Sequence, residues 1–149
     1  MLFRSDNSVS GDLQLDKYLG DWYEIARFDH SFERGIQFSK ANYTLRENGK
    51  VAVVNSGIKN GKAKESKGKA KLTDNPRILR VSFFGPFYGD YRIMLLDPDY
   101  QWVLVGGSSD KFLWILSRTP QLTPEVRDTI LAEATKRGYD INKLIWVEQ

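Results

Sequence analysis

Cysteine is absent from the 149-residue chain, and histidine occurs once. The missing cysteine excludes a disulfide framework, thiolate metal sites, a cysteine nucleophile and lipid attachment through a cysteine of this sequence. It leaves the compartment open, because an exported protein need not carry disulfides. The lone His30 has no Cys or acid cluster to form a metal site with it, and it belongs to no evident Ser/His/Asp set. It reads as a loop residue, so no metal, cofactor or catalytic residue is expected. No run reaches the roughly 20 apolar residues that a membrane-spanning helix needs. Met1–Asp12 is polar and has no apolar signal region, so either there is no signal or the sequence begins after one. Residues 1–12 are expected to form a flexible tail, and residues 13–149 a single domain.

What is present is an ordinary globular balance: 41% hydrophobic and 28% charged residues, with 4 Trp, 7 Tyr and 8 Phe. The net charge is only +3, yet Lys59, Lys62, Lys64, Lys67, Lys69 and Lys71 crowd into one short stretch. Lysines on a strand discourage edge-to-edge pairing. The same cluster would also attract anionic lipid or an acidic head group. No aromatic interleaves with them, which argues against nucleic acid.

Period-2 alternation recurs along the chain. Strands are predicted over 21–28, 38–47, 50–58, 65–72, 78–84, 91–96, 101–106 and 111–117. Glu47-Asn48-Gly49, Asp74-Asn75-Pro76, Gly85-Pro86, Asp97-Pro98-Asp99 and Gly107-Ser108-Ser109-Asp110 punctuate them. Eight short strands indicate an up-and-down barrel or a sandwich. The period then changes. Thr123-Pro124-Glu125 has the chemistry of a helix start, Val126, Ile130, Leu131 and Ala134 form an apolar stripe, and Gly138 is a stop. A short final strand is predicted over 141–147. The last main strand is apolar on both faces, so the helix should cover Leu113 and Ile115 from outside.

Three motifs carry a family resemblance. They are Gly20-Asp21-Trp22 followed by Tyr23-Glu24-Ile25-Ala26, then Asp97-Pro98-Asp99-Tyr100, then Leu116-Ser117-Arg118-Thr119-Pro120. In this order, with these strands and a trailing helix, the sequence resembles the lipocalin family from about Leu15 to Val147. It resembles the bacterial outer-membrane branch most, on the runs 82–89 and 114–120. The resemblance implies an all-β fold with one helix: an eight-stranded antiparallel up-and-down barrel, a C-terminal helix packed outside and a short final strand. It also implies structural roles for Gly20, Trp22 and Arg118, with the Trp stopping the closed end and the Arg lying across its ring. Such a cation–π contact is worth on the order of 2 kcal/mol when desolvated.

With Trp22 inside, strict alternation assigns a lining. Strand one gives Glu24, Ala26 and Phe28. By alignment to the family, strand two gives Ser39, Ala41 and Tyr43, and strand three Val51, Val53 and Asn55. Strand four gives only the small Ser66, Gly68 and Ala70, which leave room. Leu79, Val81 and Phe83 follow, then Tyr91, Ile93 and Leu95, then Trp102 and Leu104, and finally Phe112, Trp114 and Leu116. The resemblance makes Asp29–Gln37 a lid, with His30, Phe32, Arg34 and Ile36 as its notable residues. Arg34 is expected to meet an acidic head group. Phe84, Phe87 and Tyr88 suggest an exposed aromatic patch for membrane-surface contact or a homodimer.

A mostly apolar lining with a few polar groups suits a fatty acid or lysophospholipid. The resemblance implies a carrier of such a ligand in bacterial envelope lipid maintenance, on the periplasmic side of the outer membrane. The sequence shows neither signal peptide nor anchor Cys and reads as a soluble chain. Two other functions stand beside this one. One is an isomerase on the same fold, for which the pocket thiol used by some lipocalins is missing and only Glu24 offers a buried carboxyl. The other is a protein-binding module using the exposed aromatics.

Overall fold

The computed structural model describes residues 5–31, 33–84 and 87–149, with backbone alone at 84 and 87. Its strands are β1 (Gly20–Phe28), β2 (Gln37–Leu45), β3 (Val51–Lys59), β4 (Lys62–Leu72), β5 (Ile78–Phe84), β6 (Phe87–Leu96), β7 (Trp102–Gly106), β8 (Leu113–Ser117) and β9 (Leu144–Trp146). A one-turn helix, α1 (Leu15–Tyr18), precedes β1, and α2 (Pro124–Lys136) follows β8. Each strand from β2 to β8 pairs antiparallel with the next. Then β8 pairs with β1 and β1 with β2, closing an eight-stranded barrel. β9 adds to β1 from outside.

Local chemistry explains the boundaries. Thr123 caps α2 by accepting from the Val126 amide at 3.3 Å, and Pro124 occupies the first helical position. Gly49 sits at φ +79° in the expected β2–β3 hairpin. Asn60 and Gly61 both have positive φ, the two-residue turn whose twist matches a hairpin. That turn starts β4 at Lys62, earlier than the expected Glu65. β6 likewise begins at Phe87 instead of Tyr91, and the expected strand over 141–147 is a 3-10 turn (Ile141–Lys143) followed by the three-residue β9. α1 carries no alternation and was not expected.

The core lies in two compartments separated by the barrel wall. Trp22, Tyr43, Val53, Leu79, Ile93, Val103, Val105 and Leu116 pack inside. Leu113 and Ile115 pack outside under Ile130 and Ala134 of α2, as β8's two apolar faces predict. The helix-covered wall departs from simple alternation at two bulges. β1 shifts register against β8 between Glu24 and Ala26, and β6 shifts against β7 between Ile93 and Leu95. An extra residue turns every later side chain to the opposite face. Ala26 and Phe28 therefore join the outer cluster instead of lining the barrel, and so does Leu95. On β7, Val103 and Val105 face inward while Trp102 and Leu104 lie in the outer cluster, reversing the expected assignment.

The segment expected to be a flexible tail is tied down over its described part. The Asp6 amide donates to the Arg137 carbonyl, Asn7 Nδ2 to the Gly107 carbonyl and Arg137 Nη1 to the Ser8 carbonyl. Val9 packs on the outer cluster. At the other end of the chain, residues 147–149 stitch β1 to β2 where those strands part. The Val147 amide donates to the Ile25 carbonyl, and the Phe38 amide to the Glu148 carbonyl. Gln149 Nε2 donates to the carbonyls of both Glu24 and Ser39.

The closed end is locked by the two signature residues. The Arg118 guanidinium lies 3.8 Å from the centroid of the Trp22 ring and donates to the carbonyls of Asp21, Lys17, Leu19 and Tyr100. Trp22 Nε1 donates to the Tyr18 carbonyl at 2.8 Å, so α1 is fastened beneath the barrel. Arg118→Met removes the cation and leaves these carbonyls without it. We expect a loss of about 3 kcal/mol, or roughly 6–12 °C in Tm, by thermal unfolding.

Candidate functional site: a barrel cavity with a buried acid pair

Above the Trp22 floor the barrel holds a cavity of about 440 Å³. The walls come from β2, β3, β5 and β8. Ala41, Tyr43, Val53, Asn55, Val81, Phe83, Trp114 and Leu116 line them, with Phe112 just before β8. Glu24, Ser66 and Tyr91 also reach the cavity. At the bottom Tyr18, Tyr43 and Tyr91 meet through their hydroxyls. Burial pushes all three phenols above the ordinary tyrosine value, which keeps them neutral.

Several expected lining residues are inside without touching this cavity. Ile93 and Ala70 are packed in the floor. Ser39 is buried and its hydroxyl has no partner. Gly68 does not open space: a Cβ there would fall 2.7 Å from the Phe83 ring, so that ring fills the room left by the missing side chain. Instead the space lies nearer the mouth, along Asn55, Ser66 and Gly57.

The connection between β1 and β2 folds over the mouth and brings His30 and Ile36 to the cavity. Gly57 permits this close approach, since a Cβ there would sit 2.3 Å from Ile36 Cγ2. Phe32 lies outside the described residues. Arg34 does not reach the site: its side chain is 65% exposed and pairs with Asp29 at 3.0 Å. Its position on the loop points it to water. Tyr88 also differs from expectation, lining the cavity beneath the Lys71 ammonium rather than standing in an exposed patch.

The groups that hold the loop were not foreseen. The bulge in β1 turns Arg27 inward, where it is 1% exposed. Its Nη1 donates to Glu24 Oε1 at 2.9 Å, and its Nη2 to the carbonyls of Glu33 and Ile36 at 2.8 Å each. Glu33, also unforeseen, lines the cavity and receives His30 Nε2 at 2.7 Å and Trp114 Nε1 at 3.2 Å on the same oxygen. His30 stands edge-on to Phe112 and Trp114, which are themselves stacked. The single His is thus part of the cavity's polar cluster rather than an ordinary loop residue.

Two carboxyls and one guanidinium share this buried region, and their protonation divides accordingly. Burial and the neighbouring Glu33 charge push Glu24 well above the usual carboxylate range. Burial would raise Glu33 too, but hydrogen bonds from His30, Glu24 and Trp114 hold it down at about 2. The arrangement is one cation, one carboxylate and one neutral acid. It can hold a loop and offer polar contacts to a ligand, with little net charge.

A raised folded pKa means the native state binds a proton that the unfolded chain has released. Glu24 therefore makes stability fall as pH rises from the ordinary Glu value near 4.5 towards its own higher pKa. Glu33 acts only below that window, because its contribution is lost as pH falls from about 4.5 to about 2. Chemical denaturation across pH 5–8 should show declining stability in the wild type and a flatter profile in Glu24→Gln.

A family model described as a lipocalin-like domain matches residues 13–149. The outer membrane lipoprotein Blc of Escherichia coli K12 is 48% identical over 146 residues, covering 95% of this chain and 82% of that protein. The Blc protein of Vibrio cholerae is 43% identical over 143 residues, covering 93% and 84%. Temperature-induced lipocalin-1 of Arabidopsis thaliana is 36% identical over 156 residues, covering 97% and 83%. Insecticyanin from the tobacco hornworm superposes with a TM-score of 0.78 at 20% identity, covering 99% of this chain and 86% of its own, which speaks to fold alone. The barrel, its Trp22–Arg118 lock and these relatives agree: the chain belongs to the lipocalin family.

Proposed function

We propose that the protein binds one single-chain amphiphile, a fatty acid or lysophospholipid, in the barrel and acts as a carrier. The observation that carries this is the cavity itself. Its volume of about 440 Å³ falls within the usual small-ligand range of roughly 300–1,000 Å³, and Val53, Val81, Phe83, Phe112, Trp114 and Leu116 make its walls apolar. A buried tail would run along these walls towards the tyrosine floor. An anionic head would stay at the mouth near Lys64, away from the Glu33 carboxylate. The buried carboxyls are already engaged, Glu24 by Arg27 and Glu33 by His30 and Trp114, which favours a holding role over acid–base turnover.

Identity to outer membrane lipoproteins of E. coli and V. cholerae supports a place in bacterial envelope lipid maintenance, on the periplasmic side of the outer membrane. Among the described residues no helix is long and apolar enough to cross a membrane, so attachment there would come from another device.

Native mass spectrometry of freshly purified protein, followed by lipid extraction, tests the reading. We expect one bound fatty acid or lysolipid per chain, or uptake of one on titration. A chain that takes up neither would sink the proposal, and turnover of a bound lipid that disappears in Glu24→Gln would replace it with catalysis. Asn55→Trp places a ring in the cavity and should weaken a fluorescent fatty-acid analogue at least about tenfold with little change in Tm. Arg34→Ala, on the outside of the loop, should leave that affinity unchanged.

A further inference from the structure

The six lysines between Lys59 and Lys71 have no part in the cavity's walls apart from Lys64 at its mouth. Their placement follows from an unequal pairing of β4. The strand pairs with β3 from Lys62 to Ala70, but with β5 only from Lys69 to Leu72. Among the described residues, 62–68 pair on one side only, with β3, whose other edge β2 covers as far as Ile58. A free strand edge invites pairing with other chains, and lysines discourage it. That role accounts for Lys62, Lys64 and Lys67. It does not account for Lys69 and Lys71, which lie where β5 covers the edge.

The charge is of one sign. Glu65 is the strand's only acid, and it stands 3.8 Å from Lys67. At the same end of the barrel, Ile58 and Phe38 are each 41% exposed, which places apolar side chains beside the cations. The cavity also opens towards this edge: Lys64, Glu65 and Ser66 line it in succession, with Phe83 and Tyr88 across the gap.

We propose that the lysine-bearing β3–β4 hairpin is a docking surface for an anionic phospholipid bilayer, which it holds against the open side of the cavity. Charge complementarity sets the partner, because ammonium groups near an anionic leaflet attract it additively and exposed aliphatic groups enter the interface. An extended strip without stacking aromatics is poorly made for nucleic acid. The docking does not depend on which ligand the cavity holds.

Flotation with phosphatidylcholine vesicles, with and without about one-third phosphatidylglycerol, tests the surface. Wild type should float only with the anionic vesicles at about 0.05 M salt and be released at about 0.5 M. The triple variant Lys62→Gln, Lys64→Gln, Lys67→Gln should partition roughly 100-fold more weakly, near fivefold per lysine. Lys136→Gln with Lys143→Gln, on exposed positions elsewhere, should change it by no more than about twofold. An unchanged Tm and far-ultraviolet circular dichroism show that the triple variant is folded. If the fatty acid fails to bind wild type while flotation persists, the carrier function falls and the docking surface stands. Because the chain has no cysteine, a polarity-sensitive dye can be attached at Ala63→Cys on the hairpin or at Glu47→Cys at the closed end. Only the first should report an apolar environment on vesicles. Equal flotation with neutral vesicles, an unaffected triple variant, binding to heparin without binding to vesicles, or a response at position 47 instead of 63 would each overturn the proposal.

Discussion

A guanidinium removed from water needs acceptors, and Arg27 finds them at its two terminal nitrogens, while its buried Nε has none, in a way that organises the site around it. Its two terminal nitrogens reach Glu24 on its own strand and two carbonyls of the following loop. The loop is therefore fixed to the wall by a charge that has nowhere else to go. Fixing the loop brings Glu33 beside Glu24, and a second negative charge in that region is unfavourable. The proton stays on Glu24, the acid that His30 and Trp114 do not reach. Breaking a buried pair by removing one partner typically costs about 3–5 kcal/mol. The polar cluster is thus a structural hinge-pin as well as part of the lining.

The same arrangement sets limits on what the cavity accepts. Its deep part offers neutral phenols and its middle apolar rings, while the mouth carries an internally compensated cluster and, at the rim, Lys64. An anionic head group gains nothing by going deep. The loop's one arginine beyond β1, Arg34, takes no part in this lining. The structure instead keeps Arg34 in water and buries acids, because the loop's inward-facing positions belong to His30, Glu33 and Ile36.

Much of the fold was legible because the signals are local. Alternation located eight strands, Thr123-Pro124 located α2, and the doubly apolar β8 located the surface that α2 covers. Asn60-Gly61 carried an equally local hairpin signal that went unread, so the start of β4 came out three residues late. The lining was less legible, for a different reason. A bulge adds one residue without altering composition, so nothing in Glu24-Ile25-Ala26 or Ile93-Met94-Leu95 announces that the faces exchange there. Ala26, Phe28 and Leu95 were misplaced by that exchange, and Arg27 was overlooked by it, whereas Trp102 and Leu104 lie on the regular β7 and were assigned to the wrong face outright. On β2, β3 and β5, away from α2, the strands run without such an exchange over Ala41, Tyr43, Val53, Asn55, Val81 and Phe83, the residues that alignment to the family put inside, and all six line the cavity. Glu33 was missed because its importance comes from three partners distant in sequence or hidden by the bulge.

The seam between β1 and β2 bears on how the molecule comes together. Glu24 and Gln149 are 125 positions apart, yet one side-chain amide joins that strand to Ser39 on the other side of the gap. Contacts between such distant positions carry a large loop-closure entropy and form late. The barrel can assemble hairpin by hairpin from β2 to β8, but the last part of its wall waits for the segment beyond β9. Until then the apolar interior is open along one side. Order of assembly, as much as final shape, thus determines when the cavity becomes a separate compartment.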